Sequence, residues 1–154
     1  MCVRINTERD IATQILRHRS FSFQEFSTRY AETVIAAVPD FRRQDLKNRQ
    51  SSHDDFPDQQ KSDLQFAAAK VIGSAFDAYS EMLEQGVAKE TARRILPLCT
   101  PTTLYMHGTL RSWVHYIQLR CENGTQLEHQ KIAEECKKIF IEQFPLIGQA
   151  AFES

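Results

Sequence analysis

The sequence predicts an α+β fold: a helix-rich domain with a small, mainly antiparallel sheet. Three observations carry that expectation. In LRSWVHYIQLR, Leu110, Trp113, Val114 and Ile117 fall at i, i+3, i+4 and i+7, the spacing of an amphipathic helix. CVRIN at 2–6 alternates apolar and polar residues, and TPTTLYMH at 100–107 is rich in threonine and tyrosine, so both suit strands. The 154 residues, 42% hydrophobic and 25% charged, have the balance of one globular domain able to bury a core.

In chain order, residues 2–6 open as a strand. Thr7 is then positioned to cap a helix whose first turn holds Glu8 and Asp10 and which runs to about Leu16. Residues 20–24 alternate Ser, Phe, Ser, Phe, Gln and read as extended. VIAAV at 34–38 is a candidate strand before Pro39. Residues 40–62 form a long polar loop with Phe41, Leu46 and Phe56 as its large apolar groups, and loops of that length are usually functional or mobile. A helix follows from Ser62 to the terminator Gly86, and a shorter one from Lys89 to Ile95 stops before Pro97. After the second strand and the Trp113 helix, Thr125 and Glu128 form a capping box that opens a last helix running to about Pro145.

The totals exclude several classes. A formal net charge of -1 rules out a globally basic nucleic-acid binder but permits a local basic pocket. No apolar run approaches membrane-spanning length, so no membrane role is expected. Cys2, Cys99, Cys121 and Cys136 are scattered lone thiols, which suit a reducing, cytoplasmic setting. No two of them sit at ligand spacing, and His53, His107 and His129 are isolated, so no metal is assigned. There is neither a GxGxxG run nor a P-loop, so a bound nucleotide must be held by arginines, hydroxyls and helix ends.

The stretch RHRSFSFQEFSTRY at 17–30 concentrates such groups. If the first helix continued, Arg19 would point into the face occupied by Ile11 and Ile15, and burying an unpaired guanidinium is prohibitively costly. The helix must therefore stop near His18, or Arg19 must have an anionic partner. Cations at a helix C-terminus can simply answer the macrodipole. Arg17, His18 and Arg19 followed by Ser20, Ser22, Ser27, Thr28 and Arg29 exceed what a cap requires and point to an anion site. On the Trp113 helix, Arg111, His115 and Gln118 share a stripe that could equally be a solvated face. Arg120 could be a dipole partner only, Glu128 the capping-box acid only, and Gln126 a first-turn residue only.

Taken together, Arg17-His18-Arg19, seven residues, then Ser27 resemble the RHR-x7-S motif of the flavin-dependent thymidylate synthases (ThyX). Gln14, Glu25, Arg29 and Tyr30 extend the likeness. ETARRILP at 90–97, LRSWVHYIQLR at 110–120 and TQLE at 125–128 resemble that family's later segments in the right order. The resemblance covers most of residues 3–145. It implies a ThyX-like catalytic domain over 1–154, short at its N-terminus, in a homotetramer with shared active sites and a virus-encoded or bacterial source. The implied reaction converts dUMP to dTMP with FAD, NADPH and methylenetetrahydrofolate, and flavin delivers the hydride. By position, Gln14, Arg17, Glu25, Ser27, Thr28, Arg29, Arg93 and Arg120 would face dUMP. Arg17, His18, Arg19, Glu25, Thr109, Arg111 and His115 would face FAD.

Within that resemblance, Ser27 and Arg29 suit a phosphate, and Arg120 suits the pyrimidine, where a cation stabilises negative charge developing on the ring. Ser27 has no evident histidine–aspartate relay, so binding is expected of it rather than covalent attack. The sequence departs from the family at Gln24, where asparagine is common, at Gly124, where histidine is common, and at Leu127, where tryptophan is common. Two other classes remain on the sequence alone: a truncated, inactive nucleotide-binding homologue, and a single-stranded nucleic-acid binder stacking bases on the Arg–Phe run. The near-zero net charge disfavours the second of these.

Overall fold

The computed structural model describes residues 1–27 and 36–152. A three-stranded antiparallel sheet is built from β1 (Cys2–Glu8), β2 (Ser22–Glu25) and β5 (Pro101–His107), with β5 in the centre. β1 and β2 flank it in matched register, so that Cys2 and Ser22 both lie opposite His107. The alternation expected of strands appears directly: Val3, Ile5 and Thr7 are buried, as are Thr102, Leu104 and Met106, while their neighbours face outward.

Helix α1 (Arg9–Ile15) follows β1 without a loop. Its N-cap is Glu8, not Thr7, and no side chain caps it. Thr7 is instead held in the ladder opposite Thr102. The orphan amides of Arg9 and Asp10 donate to the carbonyls of Thr100 and Leu98 at 3.0 and 3.2 Å, so tertiary backbone contacts replace the local cap. At its other end α1 stops at Ile15 with Leu16 as C-cap, and Arg19 is exposed beyond the break. That is the break the wheel position of Arg19 requires.

The polar stretch 40–62 holds more regular structure than the sequence suggested. β3 (Arg43–Gln44) and β4 (Ser52–His53) pair antiparallel as a small hairpin. Its turn is tied by Asp45 Oδ1, which accepts from the amides of Lys47 and Asn48 at 2.7 and 2.6 Å. Gln44 Nε2 donates to the carbonyl of Ser51 at 3.0 Å across the same turn. α2 (Asp58–Glu84) begins earlier than Ser62, because its first turn is polar and hidden from a reading of apolar periodicity. The VIAAV strand lies partly outside the described residues. Its described part, 36–38, is irregular, with Ala36 buried against Ile72 and Phe76 of α2.

α3 (Lys89–Ala92) runs on into a 3-10 turn over Arg93–Ile95, as the Pro97 stop implies. α4 (Leu110–Arg120) matches its predicted span and is capped by Thr109, whose Oγ1 accepts from the Ser112 amide at 3.2 Å. α5 (Leu127–Gln143) does not start with the Thr125–Glu128 capping box. Its N-cap is Gln126, without a side-chain cap, and Glu128 is drawn to Arg42 instead. Pro145 does not end the helical region but opens α6 (Pro145–Phe152), a first-turn position that proline's missing N–H tolerates.

The main core lies between the sheet and the helices α1, α4 and α5. Ile11, Ile15, Leu104, Trp113, Tyr116, Ile117, Ala133 and Phe140 are all fully buried there. Of the phenylalanines in the 17–30 stretch, Phe21 and Phe23 pack on this core and Phe26 is exposed. The sheet and α4 therefore hold the end of α1 rigidly against the start of β2.

Candidate functional site

The break after α1 aims three consecutive side chains apart. Arg17 and Arg19 are exposed, whereas His18 turns inward and is half-buried. Its ring stands edge-on to Tyr116, with centroids 4.9 Å apart, and lies 6.4 Å from Phe21 and 6.2 Å from His129. Arg120, the last residue of α4, donates from Nε to Nε2 of His18 at 3.0 Å. His18 must then be the neutral tautomer with its proton on Nδ1. Burial pushes its pKa down to about 4, and the Arg120 cation and His115 push in the same direction.

Behind this pair is a second, buried one. Tyr116 Oη and His129 Nε2 are 3.1 Å apart, and His129 is fully buried on α5. Burial lowers His129 to about 4, reinforced by Arg120 and His18. The Tyr116 phenol is driven upward by burial and stays neutral. Arg120 is thus backed by uncharged rings, so its charge is directed away from the core.

Arg120 lines a groove of about 500 Å³ together with Gln14, Arg42, Gln44, Arg49, Gln50, Ser51, Ser52, Gly124, Thr125 and Gln126. One wall is α1 and the α4–α5 turn, where Gln14 Nε2 donates to Gln126 Oε1 at 2.7 Å. The other wall is the β3–β4 hairpin. Arg42 joins the two: its Nη2 reaches both carboxylate oxygens of Glu128, at 2.7 and 3.0 Å, and its Nε donates to Ser52 Oγ at 3.0 Å. The Glu128 carboxyl is raised by burial, but its own amide, Arg42 and Gln126 outweigh this and leave it lowered overall.

The expected site residues therefore divide. Gln14 and Arg120 share the groove, and His18 is bonded to Arg120. Glu25 ends β2 and accepts from Thr102 Oγ1 at 3.0 Å, with half-buried Ser27 just beyond. Arg93 is half-buried in the 3-10 turn. Thr28 and Arg29 lie outside the described residues. Arg111 and His115 line a different, apolar groove of about 440 Å³ between α4 and α6, walled by Leu110, Val114, Ile147, Ala150 and Ala151. Thr109 sits at the start of α4 as its cap.

Sequence reasoning missed Arg42, Arg49, Tyr116 and His129 as members of this region. The density of arginine and glutamine over 42–50, beside the turn formers Asp45 and Asn48, was the available signal for the hairpin wall. Nothing local marks Tyr116 or His129, which meet through tertiary packing.

A family model described as thymidylate synthase complementing protein matches residues 1–146. A protein of Paramecium bursaria Chlorella virus 1 named "Probable flavin-dependent thymidylate synthase" is 50% identical over 151 residues, 97% of this chain and 70% of that protein. A Synechocystis protein named "Flavin-dependent thymidylate synthase" is 51% identical over 150 residues, again 97% of this chain and 70% of the relative. Among solved structures, the UMP/dUMP methylase PolB from Streptomyces cacaoi bound with 5-Br dUMP superposes with a TM-score of 0.86 at 24% identity. That match covers 97% of this chain and 69% of the other, and it supports the fold.

Proposed function

The chain belongs to the flavin-dependent thymidylate synthase family, and from that premise we propose that it methylates dUMP reductively to dTMP with FAD, NADPH and methylenetetrahydrofolate. The observation that carries this reading is the Arg120–His18 contact on the wall of a groove shared with Gln14. Nε is committed to His18, which orients the Arg120 guanidinium where the residue lines the groove. A uracil ring placed there would have N3 and O2 beside a fixed cation, which stabilises the negative charge that develops as C5 becomes nucleophilic. Gln14, anchored by Gln126, offers an amide to the same ligand. Ser27, Thr28 and Arg29 are assigned to the phosphate, with Arg17, Glu25 and Arg93 completing the nucleotide contacts.

The donor set assigned to a flavin dinucleotide joins Arg111 and His115 of the second groove to the exposed residues beyond the end of α1. Arg17, Arg19 and Arg111 are exposed cations suited to its phosphates, and Leu110 and Val114 offer an apolar wall beside His115. Thr109, His18 and Glu25 complete that assignment. When bound, the flavin supplies the carbon transfer and the hydride. His18, neutral at pH 7, contributes an Nδ1–H donor and no added charge. In the proposed homotetramer the two grooves are completed by neighbouring subunits.

Purified protein decides the matter. A visible flavin spectrum, dUMP-dependent NADPH oxidation and dTMP formation with methylenetetrahydrofolate are expected, with a tetramer by light scattering. Colourless protein that stays inactive with added FAD would overturn the reading in favour of an inactive nucleotide-binding homologue.

A further inference from the structure

We propose that Arg49, at the tip of the β3–β4 hairpin, is a specificity-determining contact for an anionic oxygen group of a substrate bound in the Arg120 groove. The inference deepens the proposed function and rests on it. Among the described residues, Arg42, Arg49 and Arg120 are the three cations lining the groove, and no carboxylate lines it. They are not equivalent. Arg42 is neutralised by Glu128 and mostly buried. Arg120 is oriented by His18 and assigned to the pyrimidine. Arg49 is exposed and has no carboxylate partner among the described residues, so its guanidinium fork is available to a ligand.

The hairpin presents this fork from a pre-organised turn. Asn48 accepts at Oδ1 from the Gln50 amide at 3.0 Å and donates from Nδ2 to Ser51 Oγ at 2.8 Å, so the residues on both sides of Arg49 are bonded to one another. Asp45 receives the Lys47 and Asn48 amides and meets His53 Nε2 at 2.5 Å. These bonds, the Asn48 amide first, hold the Asp45 carboxyl at about 2, so the turn stays tied throughout the physiological range. The Arg42–Ser52 and Arg42–Glu128 bonds then fix the hairpin's base against α5. A ligand would therefore meet Arg49, Gln50 and Ser51 with little loop ordering, which favours affinity.

Two substrates of the proposed reaction carry the required chemistry: the nucleotide through its phosphate, and the folate through its glutamate carboxylates. Separate KM values for dUMP and methylenetetrahydrofolate distinguish them, supported by calorimetric titration of each substrate into the flavin-loaded protein. Arg49→Gln is expected to weaken one of the two by about tenfold, the loss typical of one charge-assisted contact, with kcat changed less than about twofold. Arg49→Lys should recover part of the loss, and the affected substrate should show the steeper salt dependence in the unsubstituted protein. Because Arg49 is exposed on a turn, its thermal midpoint should be unaltered, and Arg49→Lys serves as the folded control if Arg49→Gln is not. KM values and affinities for both substrates that stay within about twofold of the parent overturn the assignment while leaving the proposed function intact. A fall in kcat alone also overturns it. If the parent protein binds neither substrate, the proposed function itself falls, and this contact with it.

Discussion

Arg120 and His18, 102 residues apart in sequence, meet through one hydrogen bond of 3.0 Å from Nε to Nε2, and that bond fixes the tautomer of one and the orientation of the other. Arg120→Ala is therefore expected to lower kcat by about 100-fold, the scale of losing one transition-state donor, with little loss of folding because the residue ends α4. Arg120→Lys should not restore it, since an ammonium cannot bond His18 and face a planar ring in the same geometry. Steady-state kinetics beside thermal melts checks this. Parallel losses of activity and thermal stability would contradict a chemical role.

The same contact sets a titration. Removing the Arg120 cation should raise the His18 pKa from about 4 toward its ordinary range, but not fully, because burial is the larger cause. Histidine chemical shifts followed against pH in Arg120→Gln would show an upward movement. A His18 titration identical to that of the unsubstituted protein would mean that the guanidinium does not act on the ring.

Stability should depend on pH through His18 and His129. Both have folded pKa values of about 4 against an unfolded value near 6.5, so the unfolded chain binds more protons between those limits. Stability is then full above about pH 6.5, falls as pH drops toward 4, and gains no further slope from these groups below that. Chemical denaturation at a series of pH values should show uptake of up to two protons on unfolding in this window, and His129→Asn should remove about one of them.

Arg42 should behave as a structural tie with a functional readout. It bridges Ser52 on the hairpin and Glu128 on α5 while remaining mostly buried, so Arg42→Ala removes the cation from Glu128 and unties the hairpin from α5. A cost of about 1–3 kcal/mol is expected in urea denaturation. In a double-mutant cycle with Glu128→Gln the second substitution should cost less than it does alone. Strict additivity would mean that the pair is not coupled.

How much of this was legible in the sequence follows from what is local. The α4 span and the break before Arg19 could be read because apolar spacing and the cost of a buried guanidinium act within one element. The Thr7 cap and the Thr125–Glu128 box could not, because the amides they would serve are taken by the carbonyls of Thr100 and Leu98, or the acid is claimed by Arg42. Local propensity lost to tertiary partners in both cases. The groove was half legible: Gln14 and Arg120 belong to motifs, whereas Arg42 and Arg49 reach it only because a hairpin folds back over α5. Tyr116 and His129 carry no signature beyond being polar residues on core faces.

Gly108 gives the sharpest test of the packing behind His18. It links β5 to the cap of α4, and its amide donates to the Met1 carbonyl at 3.1 Å, which fixes its backbone against β1. A Cβ added there would lie 2.5 and 2.7 Å from Cδ1 and Cε1 of Phe21. Phe21 cannot swing aside freely, because its ring stands edge-on to Trp113 at 5.0 Å and contacts Tyr116 and His18. Gly108→Ala should therefore destabilise by about 1–3 kcal/mol through overpacking and displace the ring against which His18 rests. Phe21→Leu, which removes the clashing ring edge, should make the added methyl less costly in the double variant than in Gly108→Ala alone. Unchanged stability together with unperturbed His18 resonances in Gly108→Ala would show that the Phe21 cluster yields, and that the orientation of His18 depends on Arg120 rather than on the rings behind it.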